Sequence, residues 1–179
     1  MACDITSGFT LGCRDNTGGI KNIYILSGSV TSITGTTGLI TELSGSGTFY
    51  KFELFRQTGN LTENINVAPE NGTVFYEQNA TAVFHKLQSA TRNKVRVLAK
   101  NPNIKMIVET NNGSEDGVGT FFYLGQQNGV QLTSGTGQSG TAFGDLNGYT
   151  LNFVGQEPEP ASELSGSNLT GVLAGITIG

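Results

Sequence analysis

The chain has 179 residues, of which 36% are hydrophobic and only 13% charged, with 26 glycines and a net charge of −4. Glycine at about twice its usual share of ~7% excludes a helix-rich fold, because each interior glycine costs a helix about 1 kcal/mol relative to alanine. The absence of a basic block argues against a cationic nucleic-acid-binding face, and no run approaches the roughly 18 apolar residues of a membrane span.

The length suits one domain with a real core. The opening, MACDITSGFTLGCRD, has neither the basic n-region nor the apolar h-region of a signal peptide, so synthesis and retention in the cytosol are expected. Cys3 and Cys13 are read as free thiols, with a disulfide as the alternative. Two cysteines and one distant histidine are too few for zinc. The turn chemistry of Asp15-Asn16-Thr17-Gly18-Gly19 then leads into IKNIYILS, a β-branched and aromatic strand over Ile20–Ser27 that Gly28 is expected to end. Val30–Thr34 and Leu39–Ser44 read as short hairpin arms.

In TFYKFELFRQ, Tyr50, Phe52 and Leu54 alternate with Lys51 and Glu53, the pattern of a strand with one buried face. NLTENINVAP continues the alternation, so that Phe49–Val67 reads as over-long strand structure. Asn71-Gly72 is a strong hairpin turn. Thr73–Leu87 is the longest strand-like run, with its apolar character expected to change faces near Gln78–Thr81. From Ser89 the period becomes helical. One helix over about Ser89–Lys100, with Ser89 as its N-cap, carries Arg92, Lys94, Arg96 and Lys100 and stops at Asn101-Pro102. Such a short helix must lie against a sheet to be stable.

The second half is again β: Ile104–Thr110, the aromatic Val118–Leu124, a strand opening VQLT, and YTLNFVG. Thr133–Asp145 reads as a low-complexity loop. Gln156–Ser165, with Pro158 and Pro160, reads as extended and exposed, and LTGVLAGITIG as a last strand or a docking arm. The fold class is therefore mainly β, a β-sandwich or partial barrel with one flanking helix and a long hairpin.

No catalytic constellation is present. His85, the sole histidine, sits inside a strand pattern, and Ser-His-Asp or Cys-His chemistry cannot be assembled without it. Asp4, Asp15, Asp116 and Asp145 lie in turns without an Asp-x-Asp-x-Asp-Gly calcium loop, and Glu77 reads as an exposed carboxylate on a long strand. The chain is read as a non-enzyme without metal or cofactor.

Two stretches carry a family resemblance: GQQNGVQLTSGTGQSGTAFGDLNGYTLNFVGQEP, from Gly125 to Pro158, and the opening CDITSGFTLGCRDNTGGIKNIYI. Together with the strand–helix–strand order between them, they resemble virion structural proteins of tailed bacteriophages, of the tail tube type, with openings like those in phages of Bacteroidetes-type hosts. The resemblance covers about two-thirds of the chain. It implies a single domain, residues 1–179, that self-assembles into stacked rings, usually hexameric, whose hairpins merge into a continuous inner β-barrel. DNA leaves the head through that barrel without specific binding. Segments 1–19 and 157–179, and the Gly/Ser-rich loop, are then expected at inter-subunit contacts, and sheath, terminator or baseplate proteins are the other partners. Assembly takes place in the host cytoplasm and the product sits in the virion tail. Polar residues expected to face the lumen are Glu53, Gln57, Glu63, Asn64, Asn66, Glu77 and Asn79. The alternatives are a head decoration or tail-terminator protein, and a carbohydrate-binding or adhesin β-sandwich, the latter weakened by the absence of Trp.

Overall fold

The computed structural model describes residue 8 and residues 16–113, 119–166 and 168–179. Cys3, Cys13, Asp4, Asp15, Asp116 and most of segment 1–19 lie outside the described residues. The fold is mainly β with one helix. In chain order come β1 (Ile20–Thr36), β2 (Leu39–Glu53), β3 (Gly59–Ala68), β4 (Thr73–His85), α1 (Ser89–Leu98), β5 (Met106–Gly113), β6 (Gly119–Leu124), β7 (Val130–Gln138), β8 (Gly148–Glu157), β9 (Ser162–Leu164) and β10 (Leu173–Ile178). One sheet runs β1-β5-β6-β9-β2-β10, and β1 also pairs with β2, so five strands close into a barrel. β9 and β10 share one edge of β2, pairing in parallel with residues 39–40 and 43–49. The second sheet is open, with order β3-β4-β8-β7.

The closure of the barrel depends on β1 and β2, which form one hairpin from Asn22↔Glu53 to Thr36↔Leu39. Gly28 does not end the first strand, and Val30–Thr34 continues it. Gly28 faces Gly47 across the ladder with φ of +150° and +121°. A Cβ at Gly28 would stand 2.1 Å from the Ser46 carbonyl oxygen, and one at Gly47 2.2 Å from that of Ser27. The glycines thus allow the backbones to bend past each other where any side chain would collide. The expected over-long strand at Phe49–Val67 is instead divided by a turn between Glu53 and Gly59.

Two cores follow from the alternation along each strand. Tyr24, Leu26, Leu43, Phe49, Ile107, Tyr123 and Ile176 belong to the cluster inside the barrel. Ile23, Ile25, Met106, Val108 and Leu124 point the other way and meet Ala80, Ala82, Phe84, Leu151 and Phe153 of the open sheet, with Leu98 of α1 packed among them. The Tyr123 side chain is wholly buried and its hydroxyl finds no hydrogen-bond partner among the described residues. Burial, with the Glu157 charge adding to it, pushes its phenol well above the ordinary value. A buried hydroxyl without a partner costs about 1–3 kcal/mol, so Tyr123→Phe is expected to raise or preserve the thermal midpoint. A drop of several degrees by calorimetry would show that the hydroxyl is satisfied.

A polar group does sit satisfied in the same wall. Glu109, 4% exposed, accepts from Asn22 Nδ2 at 2.6 Å and Tyr24 OH at 2.8 Å, and lies 3.4 Å from Lys21 Nζ. Burial opposes its charge, but the Asn22 and Tyr24 hydrogen bonds and the Lys21 charge outweigh it and hold the carboxyl below its usual value. A depressed carboxyl contributes stability that is present above the unfolded pKa of about 4.3 and is lost as pH falls through the lower folded value. Glu109→Gln is therefore expected to lose about 1–3 kcal/mol at pH 7, the gap to the parent closing as pH drops below about 4. Urea unfolding at pH 7 and pH 3 measures it, and a gap constant with pH would refute the carboxylate's role.

Several local expectations are corrected. The apolar character of β4 does not change faces: Gln78, Ala80, Ala82 and Phe84 form one continuous buried row. Gln78 is tolerated there because its Oε1 accepts from Gly125 N–H at 3.0 Å. The helix ends at Leu98, and its N-cap is Gln88 without a side-chain cap bond, not Ser89. Thr133–Gln138 is strand rather than loop. Gln156–Ser165 is not exposed throughout: Glu157, Ser162 and Leu164 are buried and β9 lies within it. The tail, read as a strand or an arm, supplies a strand to its own chain's barrel sheet, with Leu169, Val172 and Ile176 buried.

Candidate functional site: the open face of the second sheet

The second sheet buries one face and presents the other. On the presented face, cross-strand neighbours form polar rows. Asn60, Thr81, Asn152 and Ser134 lie in one row across β3, β4, β8 and β7. Thr81 Oγ1 donates to Asn152 Oδ1 at 2.9 Å, and Asn152 Nδ2 to Ser134 Oγ at 3.0 Å. Thr62, Asn79, Val154 and Gln131 make the next row, and Asn64, Glu77 and Gln156 the next. Period-two alternation produces this directly on β3, β4 and β8, while on β7 a bulge between Leu132 and Ser134 brings Gln131 and Ser134 to the same face.

Glu77 is the only carboxylate on this face among the described residues. Asn79 Nδ2 donates to its Oε1 at 2.9 Å, and Asn64 Nδ2 to the same oxygen at 3.4 Å. These amides, Asn79 first, hold the carboxyl below its ordinary value and keep it ionised. Strands β3, β4, β7 and β8 contain no Lys or Arg at all. The face is thus mostly amides and hydroxyls, with Phe75, Val83 and Val154 among them and one anionic point per chain. It has hydrogen-bonding capacity but nothing that attracts a phosphate.

Of the residues expected from sequence to face a lumen, the structure brings Asn64, Asn66, Glu77 and Asn79 together here. The other three lie elsewhere. Glu63 is on the opposite side of β3 and accepts from the Ala161 N–H at 2.7 Å. Glu53 ends β2 in the barrel sheet and is paired with Lys51 at 2.9 Å. Gln57 lies in the turn before β3 with a φ of 63°. The face also includes Thr62, Thr81, Asn152, Gln131 and Ser134, which the sequence alone does not single out. For Thr81, Asn152 and Gln131 the alternation with buried residues is the available signal, whereas Ser134 follows a bulge and has none. His85 closes the lower end of the face, with its ring edge-on to Phe55 at 4.6 Å.

The upper end is fixed by a clamp on the turn between β6 and β7. The Glu157 carboxylate accepts the N–H groups of Gln127, Asn128 and Gly129 at 2.8–3.1 Å. Lys105 Nζ donates to the Gly125 carbonyl at 2.6 Å. Burial lowers the Lys105 pKa, opposed by the Glu157 charge.

The outer edges of this sheet are β3 and β7. Among the described residues β3 has no strand beyond it, and β7 has only the bridge from Val130 to Ile104. Every pairing within the sheet is antiparallel, so β3 and β7 run in opposite directions. β4 is central and paired on both sides, so it is not itself available to a neighbouring chain. Comparison with protein-family models, curated proteins and solved structures finds no match to this chain.

Proposed function

We propose that this chain is a structural protein of the tail tube type, whose copies join side by side into rings and whose rings stack into a conduit for DNA in a phage tail. The observation that carries the reading is the amide-rich face without a single Lys or Arg, set between two edge strands of opposite direction that, among the described residues, have no neighbour but the Val130–Ile104 bridge on β7. Copies related by rotation about an axis along the strands bring β3 of one beside β7 of the next in antiparallel register. This closes the sheet edges that an isolated chain leaves open.

Six such copies, the usual count for rings of this type, give 24 strands. With strands about 4.8 Å apart and tilted ~40°, the backbone ring is about 48 Å across, which leaves an open channel rather than a packed core. DNA that passes such a wall meets dipoles and a weak negative potential, and slides without being held. No catalytic role is assigned to any residue.

Negative-stain microscopy of the purified protein is the test. Rings or long tubes are expected. A species that stays monomeric at high concentration would reject the reading, and closed rings that never stack would favour a tail terminator instead.

A further inference from the structure

The open sheet has two unlike ends. At the end formed by the β3–β4 turn, Ile65, Val67 and Val74 are 67%, 61% and 49% exposed. Glu70 lies in that turn, and Glu159 follows Glu157, which pairs with Tyr76 at the same end. Lys105 reaches this end, but its Nζ is engaged by the Gly125, Gln126 and Gln127 carbonyls, and no Lys or Arg occurs between residues 57 and 85 or after residue 105.

The opposite end, where β4 stops at His85, is basic. Lys86 donates its N–H to the Asn147 carbonyl, Arg56 stands in the turn that enters β3 beside Phe55 and His85, and Arg92 lies in the first half of α1 and Lys94 at its middle, over the Phe52 ring. The acids here are already engaged. Glu53 pairs with Lys51, and Asp145 Oδ2 accepts the Thr141 and Ala142 N–H groups at 2.8 Å each. The loop that Asp145 pins presents Phe143 at 113% exposure, the most exposed large apolar side chain described. It joins β7 to β8 at Gln138↔Gly148, and Gly148 pairs with His85, which places it at the basic end.

Tyr76 and His85 are separated by nine residues of β4, about 30 Å at ~3.3 Å per residue, so the two ends of one chain cannot meet. Both the charges and the unpartnered apolar groups are complementary between them. We propose that the occupant of each end is a second copy of this chain, stacked end to end. Phe143 of one copy seats on Ile65, Val67 and Val74 of the next, and Lys86 and its basic neighbours face Glu70 and Glu159. The inference rests on the tube reading and specifies how rings stack. Because the two patches differ, the contact is heterologous and does not close on itself, so it propagates as an open stack.

The test separates stacking from ring formation. Phe143→Asp is expected to keep the parent's thermal midpoint and its rings but to form no tubes in negative stain. Glu70→Lys is expected to shorten the tubes, and Lys86→Glu added to it to restore them. Tubes of parental length from both single variants would overturn the inference, as would loss of the rings themselves in Phe143→Asp, which would put the contact within a ring. A parent that forms no rings rejects the tube reading and this inference with it.

Discussion

Ile65→Pro is expected to fold like the parent and to form no rings. The direction of each backbone N–H in β3 follows from one bond: Val83 donates to the Thr58 carbonyl at 3.0 Å. In the register Gly59↔Ala82, Thr58 therefore opposes Val83 as a hydrogen-bonded pair. Such pairs alternate in an antiparallel ladder, so residues 60, 62, 64 and 66 bond to β4, while residues 61, 63, 65 and 67 direct their N–H groups to the free edge. Proline at residue 65 removes a donor that faces no strand among the described residues and places a ring where a neighbouring strand has to approach. Its side chain is 67% exposed, so little packing is lost. The thermal midpoint is expected to stay within a few degrees while rings disappear from micrographs. Asn64→Pro, which removes a ladder bond to β4, is the contrasting variant and is expected to lower the thermal midpoint well below that of Ile65→Pro. Rings formed by Ile65→Pro would show that the β3 edge does not carry the contact between neighbours.

Alternation makes much of this sheet legible in the sequence. Leu61, Glu63, Ile65 and Val67 share one side of β3 and Asn60, Thr62, Asn64 and Asn66 the other, as their spacing requires. The helix after Thr73–His85 is legible from the change of period and from Pro102. Long-range pairing is not legible. Gly28 and Gly47 look like strand breaks in a linear reading, and only their opposition across the β1–β2 ladder makes them a bend. Gln78 interrupts an apolar row in sequence because its partner, the Gly125 N–H, is 47 positions away. Glu157 beside Pro158 resembles a solvated linker, yet it is buried by a turn 28–30 residues upstream whose N–H groups it accepts.

Thr73–Leu87 shows the same limit. Its length, 13 residues as β4, suggests a strand that outgrows its own sheet. In the fold β4 is the internal strand on which β3 and β8 are both registered, over ten pairs each. Its contribution to the proposed assembly is therefore indirect. It fixes β3 as an edge, carries Glu77 and Asn79 onto the presented face, and ends at the basic terminus of the sheet. Edge identity is a property of the sheet order, which no local pattern in the sequence encodes.

Replacing Asn64, Asn66 and Glu77 together by lysine is expected to convert an inert face into one that holds DNA. The three positions lie within two adjacent β3–β4 rows, Asn64↔Glu77 and Asn66↔Phe75. The change turns one negative charge per chain into three positive ones. Removing Glu77 in the same step matters, because a carboxylate held in its ionised form by Asn79 and Asn64 would otherwise pair with the new lysines. Lysines directly opposite each other cost the fold only a few tenths of a kcal/mol to about 1 kcal/mol. In the ring-deficient Ile65→Pro background, anisotropy with a labelled duplex should show binding with a log–log salt slope of about −2.7, as three phosphate contacts predict, whereas the parent face shows none. In the proposed tube the charges would repeat around every ring, and their attraction would sum along the DNA. Virions with the triple substitution are therefore expected to assemble normally and to plate at least about tenfold less efficiently, with the genome retained in the tail. The two readouts have to agree for the lumen assignment to stand. A variant that binds DNA as a free subunit yet infects at the parental level would place this face away from the path of the genome.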